Sequence, residues 1–459
     1  VLPFVNMSSD AEQEYFSDGI TEELLNLLAK VPELRVAART SSFSFKGQNV
    51  EIPVIAERLG VAHILEGSVR KAGNQVRITA QLIQADDGFH LWSETYDREL
   101  DNIFAIQDEI SAAVVDALKV TLLGEAPRSV ETDPEAYRLY LEGQYFFNQR
   151  SQESLLKAAE LLQQSVAIAP DYAPAWAELA FIQLWQGASG GLEIDESIEL
   201  AEHSTNRALE LDPNLSLAHT TRAIRYMFYD YDFERGLQEY ERAFDLDPGG
   251  ALGVGGYGIA LKMNGRFDEA VSHLLKARER DPLVPETYNN LATTYLAMSE
   301  WDLAESNYLR VLELSPEYVG VRNRLARLYL FTGQPEKALE IAGQERDEQV
   351  YRPSALSAAY HSLREQEKSD EELARLIEQG ADVGAYQIAQ TYAWRGETEE
   401  AFTWLQHGLE IRDSGLAGIL GDWTLESLWS DPRWEAILKE LKLWDTWQAM
   451  PPEWGGPQK

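Results

Sequence analysis

The chain has 459 residues, 44% hydrophobic and 25% charged, enough for about three domain-equivalents built around substantial cores. Its 40 Lys and Arg stand against 76 Asp and Glu, a net charge of −36 with no basic stripe, which argues against nucleic acid as a partner of this region because phosphates would be repelled. There is no Cys, which excludes disulfides, thiolate chemistry and Cys-based zinc sites, and no apolar run approaches the roughly 20 residues of a membrane helix.

From Val1 to about Leu123 the pattern predicts a small α/β domain with a mixed sheet. Val1–Val5 reads as a short strand. Tyr15–Ala29 is apolar at helical spacing, with Ser17 or Asp18 as its cap and Pro32 as its stop. Leu34–Ala38 is expected as a short strand, and Val54–Leu59 as a short helix ended by Gly60. His63–Lys71 should pair with Gln75–Gln84 across the turn dipeptide Gly73-Asn74. Along the latter, Val76, Ile78, Ala80 and Leu82 alternate with Arg77, Thr79 and Gln81, so one face is buried and one is wet. Asp87-Gly88 turns into a third strand, Phe89–Tyr96. Ile103–Leu122 closes the domain, with Ile103, Ile106, Ile110, Val114 and Leu118 on one helical face.

The runs Asn6-Met7-Ser8-Ser9-Asp10, Tyr15-Phe16-Ser17-Asp18-Gly19-Ile20-Thr21-Glu22-Glu23-Leu24, Arg39-Thr40-Ser41-Ser42-Phe43, Glu66-Gly67-Ser68-Val69-Arg70 and Leu91-Trp92-Ser93-Glu94-Thr95-Tyr96-Asp97-Arg98 span most of this domain. Together they resemble the bacterial TolB-amino-terminal-like (FlgO-like) domain, residues 1–123. In that family the domain often precedes tetratricopeptide repeats and commonly follows a transmembrane helix. Ahead of the helix lies a winged-helix DNA-binding domain, as in CadC-like regulators, or a nucleotide cyclase domain. The resemblance implies a region on the periplasmic or extracytoplasmic side of the inner membrane if tethered, with the cytoplasm as the alternative. The chain opens inside what should be the first strand, so an amino-terminal truncation is expected; removal of an initiator Met is the alternative.

Residues 124–132 read as a linker, and Asp133-Pro134 opens a helix as cap and first position. Beyond it Pro170, Pro213, Pro248, Pro282 and Pro316 recur at spacings of 43, 35, 34 and 34 residues. Thirty-four is the tetratricopeptide period. From Pro285 to Pro316, Tyr288, Leu291, Ala292, Tyr295, Ala304, Tyr308 and Val311 occupy that family's signature positions. Ala270, Ala304 and Ala338 repeat at the same interval, as do Gly265, Ser299 and Gly333: small residues where helices touch, turn formers where the chain reverses. The prediction is an all-α tetratricopeptide-repeat solenoid over residues 133–415, of about eight hairpins, with a weaker one at 353–379. A longer turn should protrude around Gly187–Glu196, and a Trp-rich capping segment should fill residues 416–459.

No catalytic constellation emerges, so the expectation is a non-enzymatic scaffold without cofactor or metal. Gly253–Gly258 spells G-x-G-x-x-G but falls where a repeat's first helix belongs, not between a strand and a helix. The seven His never take ligand spacing. Such solenoids resemble one another in binding protein or peptide ligands along a concave face. Carrying those positions over gives Phe181, Trp185, Met227 and Phe228, then Lys262, then Asn289, Asn323 and Arg327: an apolar half running into a polar Asn/Arg half whose amides pair with backbone, the alternative being that Phe181, Trp185 and Phe228 fill the solenoid interior. The Lys and Arg of the two-carboxylate clamp are not at matching positions. The functional expectation is the sensory or partner-binding part of a bacterial signalling or transcription-regulatory protein. The alternatives are a free-standing cell-envelope assembly factor and the accessory region of an enzyme.

Overall fold

A computed structural model describes residues 1–8, 10, 13–31, 34–99, 103–118, 129–149, 151–189, 191–247 and 251–457, with backbone alone at 251–254. The chain divides into two compact units. The first comprises Val1–Arg222, Glu239–Val254 and Ala277–Leu283; the second comprises Ala223–Gln238, Gly255–Lys276 and Val284–Lys459.

The first unit opens with β1 (Val5–Asn6), α1 (Glu14–Ala29), α2 (Arg39–Phe43), α3 (Ile52–Leu59), β2 (His63–Ala72), β3 (Gln75–Gln84), β4 (His90–Glu99) and α4 (Ile103–Ala117). The four strands lie in the order β1-β2-β3-β4; β1 runs parallel to β2, and the other pairs are antiparallel. The alternation read from the sequence sets the faces. Val69, Ile78 and Tyr96 are paired in register and all buried, while the adjacent row places the Thr79 and Thr95 hydroxyls 3.2 Å apart on the exposed side. Gly60, Gly73 and Gly88 take the left-handed backbone that their turns require.

Two local expectations are corrected. Ser17 and Asp18 do not cap α1. The helix begins one turn earlier, both residues are buried within it, and Asp18 holds the Lys46 ammonium at 2.6 Å. Leu34–Ala38 pairs with no strand among the described residues; its backbone finds a partner elsewhere, as Asp281, just after a later helix, accepts the Ala38 N–H at 2.7 Å and the Ser41 hydroxyl. Pro32, residues 119–122 and the linker as far as residue 128 lie outside the described residues.

The helices then pair into hairpins, eight of them among the described residues. They are α5 (Pro134–Phe147) with α6 (Gln152–Ile168), α7 (Ala173–Ala188) with α8 (Ile194–Leu211), α9 (Ser216–Phe228) with α10 (Phe233–Leu246), and α11 (Ala251–Met263) with α12 (Phe267–Arg280). After these come α13 (Pro285–Ala297) with α14 (Trp301–Leu314), α15 (Val321–Phe331) with α16 (Pro335–Ala342), α17 (Tyr351–Ser362) with α18 (Gln366–Gly380), and α19 (Ala385–Trp394) with α20 (Thr398–Glu410). Asp133 caps α5 through the Glu135 and Ala136 amides.

The repeated residues have physical reasons. Ala270, Ala304 and Ala338 are fully buried, and Gly265, Ser299 and Gly333 all adopt positive φ, which a β-carbon disfavours. The fourth position of a repeat ties back to the closing proline of the one before. Trp176 Nε1 donates to the Pro170 carbonyl at 3.0 Å, and Arg322 donates to that of Pro316 at 2.7 Å. In the same place His219 Nε2 lies 3.0 Å from the Pro213 carbonyl. Most of the extra residues of the 43-residue interval belong to helix. They lengthen α7 and α8 to 16 and 18 residues, and Gly187 packs against Ser197 so closely that a β-carbon would lie 2.3 Å from its hydroxyl.

The α/β elements share a core with the first hairpin inside this unit. Gly19 of α1 meets Leu141, the Phe104 and Tyr137 rings lie 4.6 Å apart, and Gln107 Nε2 donates to the Tyr137 hydroxyl at 2.6 Å.

A candidate partner-binding face

In the first unit α5 and α7 bring three rings together. Phe147 and Phe181 are buried, with centroids 5.6 Å apart, and Trp185 lies 6.4 Å from the first and 6.3 Å from the second. Trp185 is 40% exposed, an indole packed edge-on against both rings. Deeper on α5, Gln144 donates to the Tyr140 hydroxyl at 2.8 Å. Burial, and then the neighbouring Glu22, push the Glu23 carboxyl of α1 up to about 7.

The second unit holds the other sequence-predicted residues. Met227 is fully buried, packed so tightly on Gly236 that a β-carbon there would lie 2.1 Å from Met227 Cγ; Phe228 is partly buried. Asn323 is buried and structural in its bonding: its amide donates to the Tyr351 carbonyl at 2.7 Å. Its own N–H is accepted by the buried Glu345 carboxylate, which also accepts the Gly320 N–H at the start of α15. Asn289 keeps a buried amide oxygen without a hydrogen-bond partner among the described residues. Arg327 donates to Ser354 at 3.2 Å, and burial lowers its pKa. Lys262 is partly buried and makes no ion pair or hydrogen bond among the described residues. Burial first, and then the Arg324 charge, lower its pKa to about 8.

Sequence reasoning missed what else reaches these residues. The segment after α20 turns through short 3-10 elements at Ser414–Gly418 and Trp423–Leu428, then α21 (Pro432–Glu440) and α22 (Trp444–Ala449). It binds several repeats of the same unit. Tyr231 donates to the Asp413 carbonyl at 3.1 Å, Trp423 Nε1 to Ala297 at 3.2 Å, and Ser299 to Glu453 at 3.2 Å. Gly421, at positive φ, sits where a β-carbon would strike Ala297 at 2.6 Å. Next to it Asp422 accepts from the Tyr386 hydroxyl at 2.6 Å, from the Gln390 amide and from the Thr424 N–H. That carboxylate bears on both Lys262 and Arg327. The Trp residues of the segment serve partly as its core: Trp434 is 1% exposed, and Trp447 donates to the Gly455 carbonyl at 2.7 Å. No local signal links Asp422 to residues more than 90 positions earlier.

Gly253–Gly258 lies inside α11, where Gly258 packs against Leu274, and does not form a phosphate-binding turn. Among the described residues no group of His, Asp or Glu has the geometry of a metal site, and no helix is long and apolar enough to cross a membrane.

Residues 228–285 and 289–347 match the tetratricopeptide repeat family model. The chain is 40% identical over 253 residues, 53% of its length and 41% of the relative's, to "Putative adenylate cyclase 3" of Rhizobium meliloti (strain 1021). It is 30% identical over 161 residues, 34% of its length and 56% of the relative's, to "Type IV pilus assembly protein PilF" of Pseudomonas aeruginosa. The chain thus spans about half the length of the curated relatives it matches. A solved tetratricopeptide repeat protein from Parabacteroides merdae is 15% identical, covering 58% of this chain and all of its own, with a TM-score of 0.43. The helical part of this chain is a tetratricopeptide-repeat solenoid, preceded by a small four-stranded mixed sheet.

Proposed function

We propose that this chain is a non-enzymatic partner-binding scaffold, the interaction region of a longer bacterial signalling or regulatory protein. The observation that carries the reading is Trp185, a large aromatic packed on two buried rings and 40% exposed. Such residues anchor interfaces because they bury much area at little entropic cost. The similarity over part of its length to a putative adenylate cyclase supports a place beside an output domain, as the TolB-amino-terminal-like resemblance also implies. An extracytoplasmic location belongs to the same proposal. A second reading, a cell-envelope assembly factor, draws on the partial similarity to a pilus assembly protein.

The test is affinity capture from the native cell with the wild-type chain, Trp185→Ala, and Trp176→Ala as a control whose indole is engaged with Pro170. A partner lost with Trp185→Ala alone, at unchanged helicity, supports the scaffold. Its identity, cyclase or regulator component against envelope component, decides between the two readings. Retention of every partner by folded Trp185→Ala would remove the basis for this face.

A further inference from the structure

We propose that β4, the open edge of the four-stranded sheet, pairs with β4 of a second copy of this chain, antiparallel and about a two-fold axis at Tyr96. The inference concerns the α/β elements alone and does not rest on the Trp185 face.

The backbone provides the edge. Gly73-Asn74 is a two-residue turn, and such a turn is closed by a hydrogen-bonded pair, here Ala72 and Gln75. Hydrogen-bonded pairs recur at every second residue, so β3 turns the backbone groups of Gln75, Arg77, Thr79 and Gln81 toward β2 and those of Val76, Ile78, Ala80 and Leu82 toward β4. Through the register of β3 with β4, Arg98, Tyr96, Glu94 and Trp92 then give their N–H and C=O groups to β3. Those of Ser93, Thr95, Asp97 and Glu99 point outward. Among the described residues these outward groups have one partner, the Arg98 guanidinium, which donates to the Asp97 carbonyl at 3.0 Å. All four residues are exposed, and the 10-residue strand carries no Pro, Gly or Lys to blunt its edge.

Charge selects the occupant. Glu94 and Arg98 stand on the same face as the buried Tyr96, the side on which Glu109 of α4 lies 3.7 Å from Arg98. Charges on that side of an edge turn away most incoming strands, because a strand must match them across the pair. Copies of β4 match themselves. With the axis at Tyr96, Glu94 of each copy lies directly opposite Arg98 of the other, while Asp97 faces Thr95 and Glu99 faces Ser93. An axis at Glu94, Asp97 or Arg98 sets like charges against each other, and one at Thr95 leaves Glu94 opposite Tyr96. The resulting interface is the same patch on both copies and closes on itself. The net charge of −36 on each chain opposes the encounter at low salt, so association should strengthen as long-range repulsion is screened.

The test is sedimentation equilibrium of the full chain in about 0.15 M salt, where charges more than about 8 Å apart are largely screened. The wild type should show a monomer–dimer equilibrium. Glu94→Arg sets like charges opposite each other in both pairs and should weaken the dimer about tenfold, as should Arg98→Glu. The double exchange Glu94→Arg/Arg98→Glu should return the affinity to within about twofold of wild type, with helicity unchanged in all three variants. Because the chain has no Cys, disulfides report the register. Residues opposite each other in a hydrogen-bonded pair have Cα atoms about 5.5 Å apart, within disulfide reach. Ser93→Cys/Glu99→Cys should therefore oxidise to a covalent dimer, and Ser93→Cys/Asp97→Cys, matched to an axis at Thr95, should not. A chain that stays monomeric across the concentration series overturns the proposal, whatever other protein covers β4. So does a dimer that Glu94→Arg leaves intact, or one that the double exchange fails to restore. A covalent dimer from Ser93→Cys/Asp97→Cys alone overturns the axis at Tyr96.

Discussion

Lys262→Met should make the protein more stable at neutral pH. In the folded chain the Lys262 pKa is lowered from 10.5 to about 8, so the ammonium is disfavoured by folding at every pH below that value. Each unit of pKa difference is worth about 1.4 kcal/mol, giving an upper figure of about 3 kcal/mol at pH 7. Partial exposure of the side chain reduces this, and roughly 1–3 kcal/mol is the working range. A norleucine-like Met keeps the volume and removes the charge. For a unit of this size the melting temperature should rise by roughly 3–10 °C. The sign of the pH dependence is the stronger test. Between pH 8 and 10.5 the unfolded lysine binds more protons than the folded one, so wild-type stability from this group rises with pH across that window. The advantage of Lys262→Met should be full below pH 8 and gone by about pH 10.5. Chemical denaturation of both proteins at pH 7, 9 and 10.5 measures it, with other titrations cancelling in the difference. A difference that does not shrink as pH rises, or a destabilised variant, refutes the reasoning.

Ala304→Leu should cost on the order of 1–3 kcal/mol, since Ala304 is fully buried where α13 and α14 meet; an unchanged urea midpoint would refute the repeat register. Tyr231→Phe removes a buried hydroxyl's bond to the Asp413 carbonyl and should cost about 1 kcal/mol, with faster amide exchange in residues 413–429 as the specific readout. A fragment beginning at Asp133 should expose the Tyr137 and Leu141 surface that α1 and α4 cover. It should therefore aggregate or bind a hydrophobic dye, where the full chain does not; a soluble, sharply melting fragment would show that the α/β elements fold apart from the solenoid.

Much of this architecture was legible because local periodicity carries it. The alternation at Val76–Leu82 determines a sheet face, and the 34-residue recurrence of Ala270, Ala304 and Ala338 determines helix contacts. What escaped was set by partners distant in sequence. Leu34–Ala38 has the composition of a strand, but Asp281, some 240 residues later, takes the hydrogen bond a neighbouring strand would have supplied. Ser17 is a good cap by type, yet α1 starts earlier, at Glu14, and buries Tyr15, Phe16, Ser17 and Asp18 within it. Among the candidate residues of the second unit, the carried-over repeat positions name Lys262 and Arg327. They could not name Asp422, which arrives from the carboxy-terminal segment.

That segment changes how the second unit should lose its structure. A plain solenoid contacts only its neighbours, so its ends fray and its stability is a sum over adjacent repeats. Here Tyr231 is bonded to Asp413, Ala297 to Trp423 and Ser299 to Glu453, pairs separated by 182, 126 and 154 positions. Those ties raise the contact order, slowing folding because long loops must close before the bonds form. They also make opening of a terminal repeat expensive for its distant partners, so repeats 223–410 should melt in one cooperative step, with amide protection as high in α19 as in α13. A chain stalled before residue 413 lacks the closing bonds, so its repeats remain a fraying array until residues 413–453 are made.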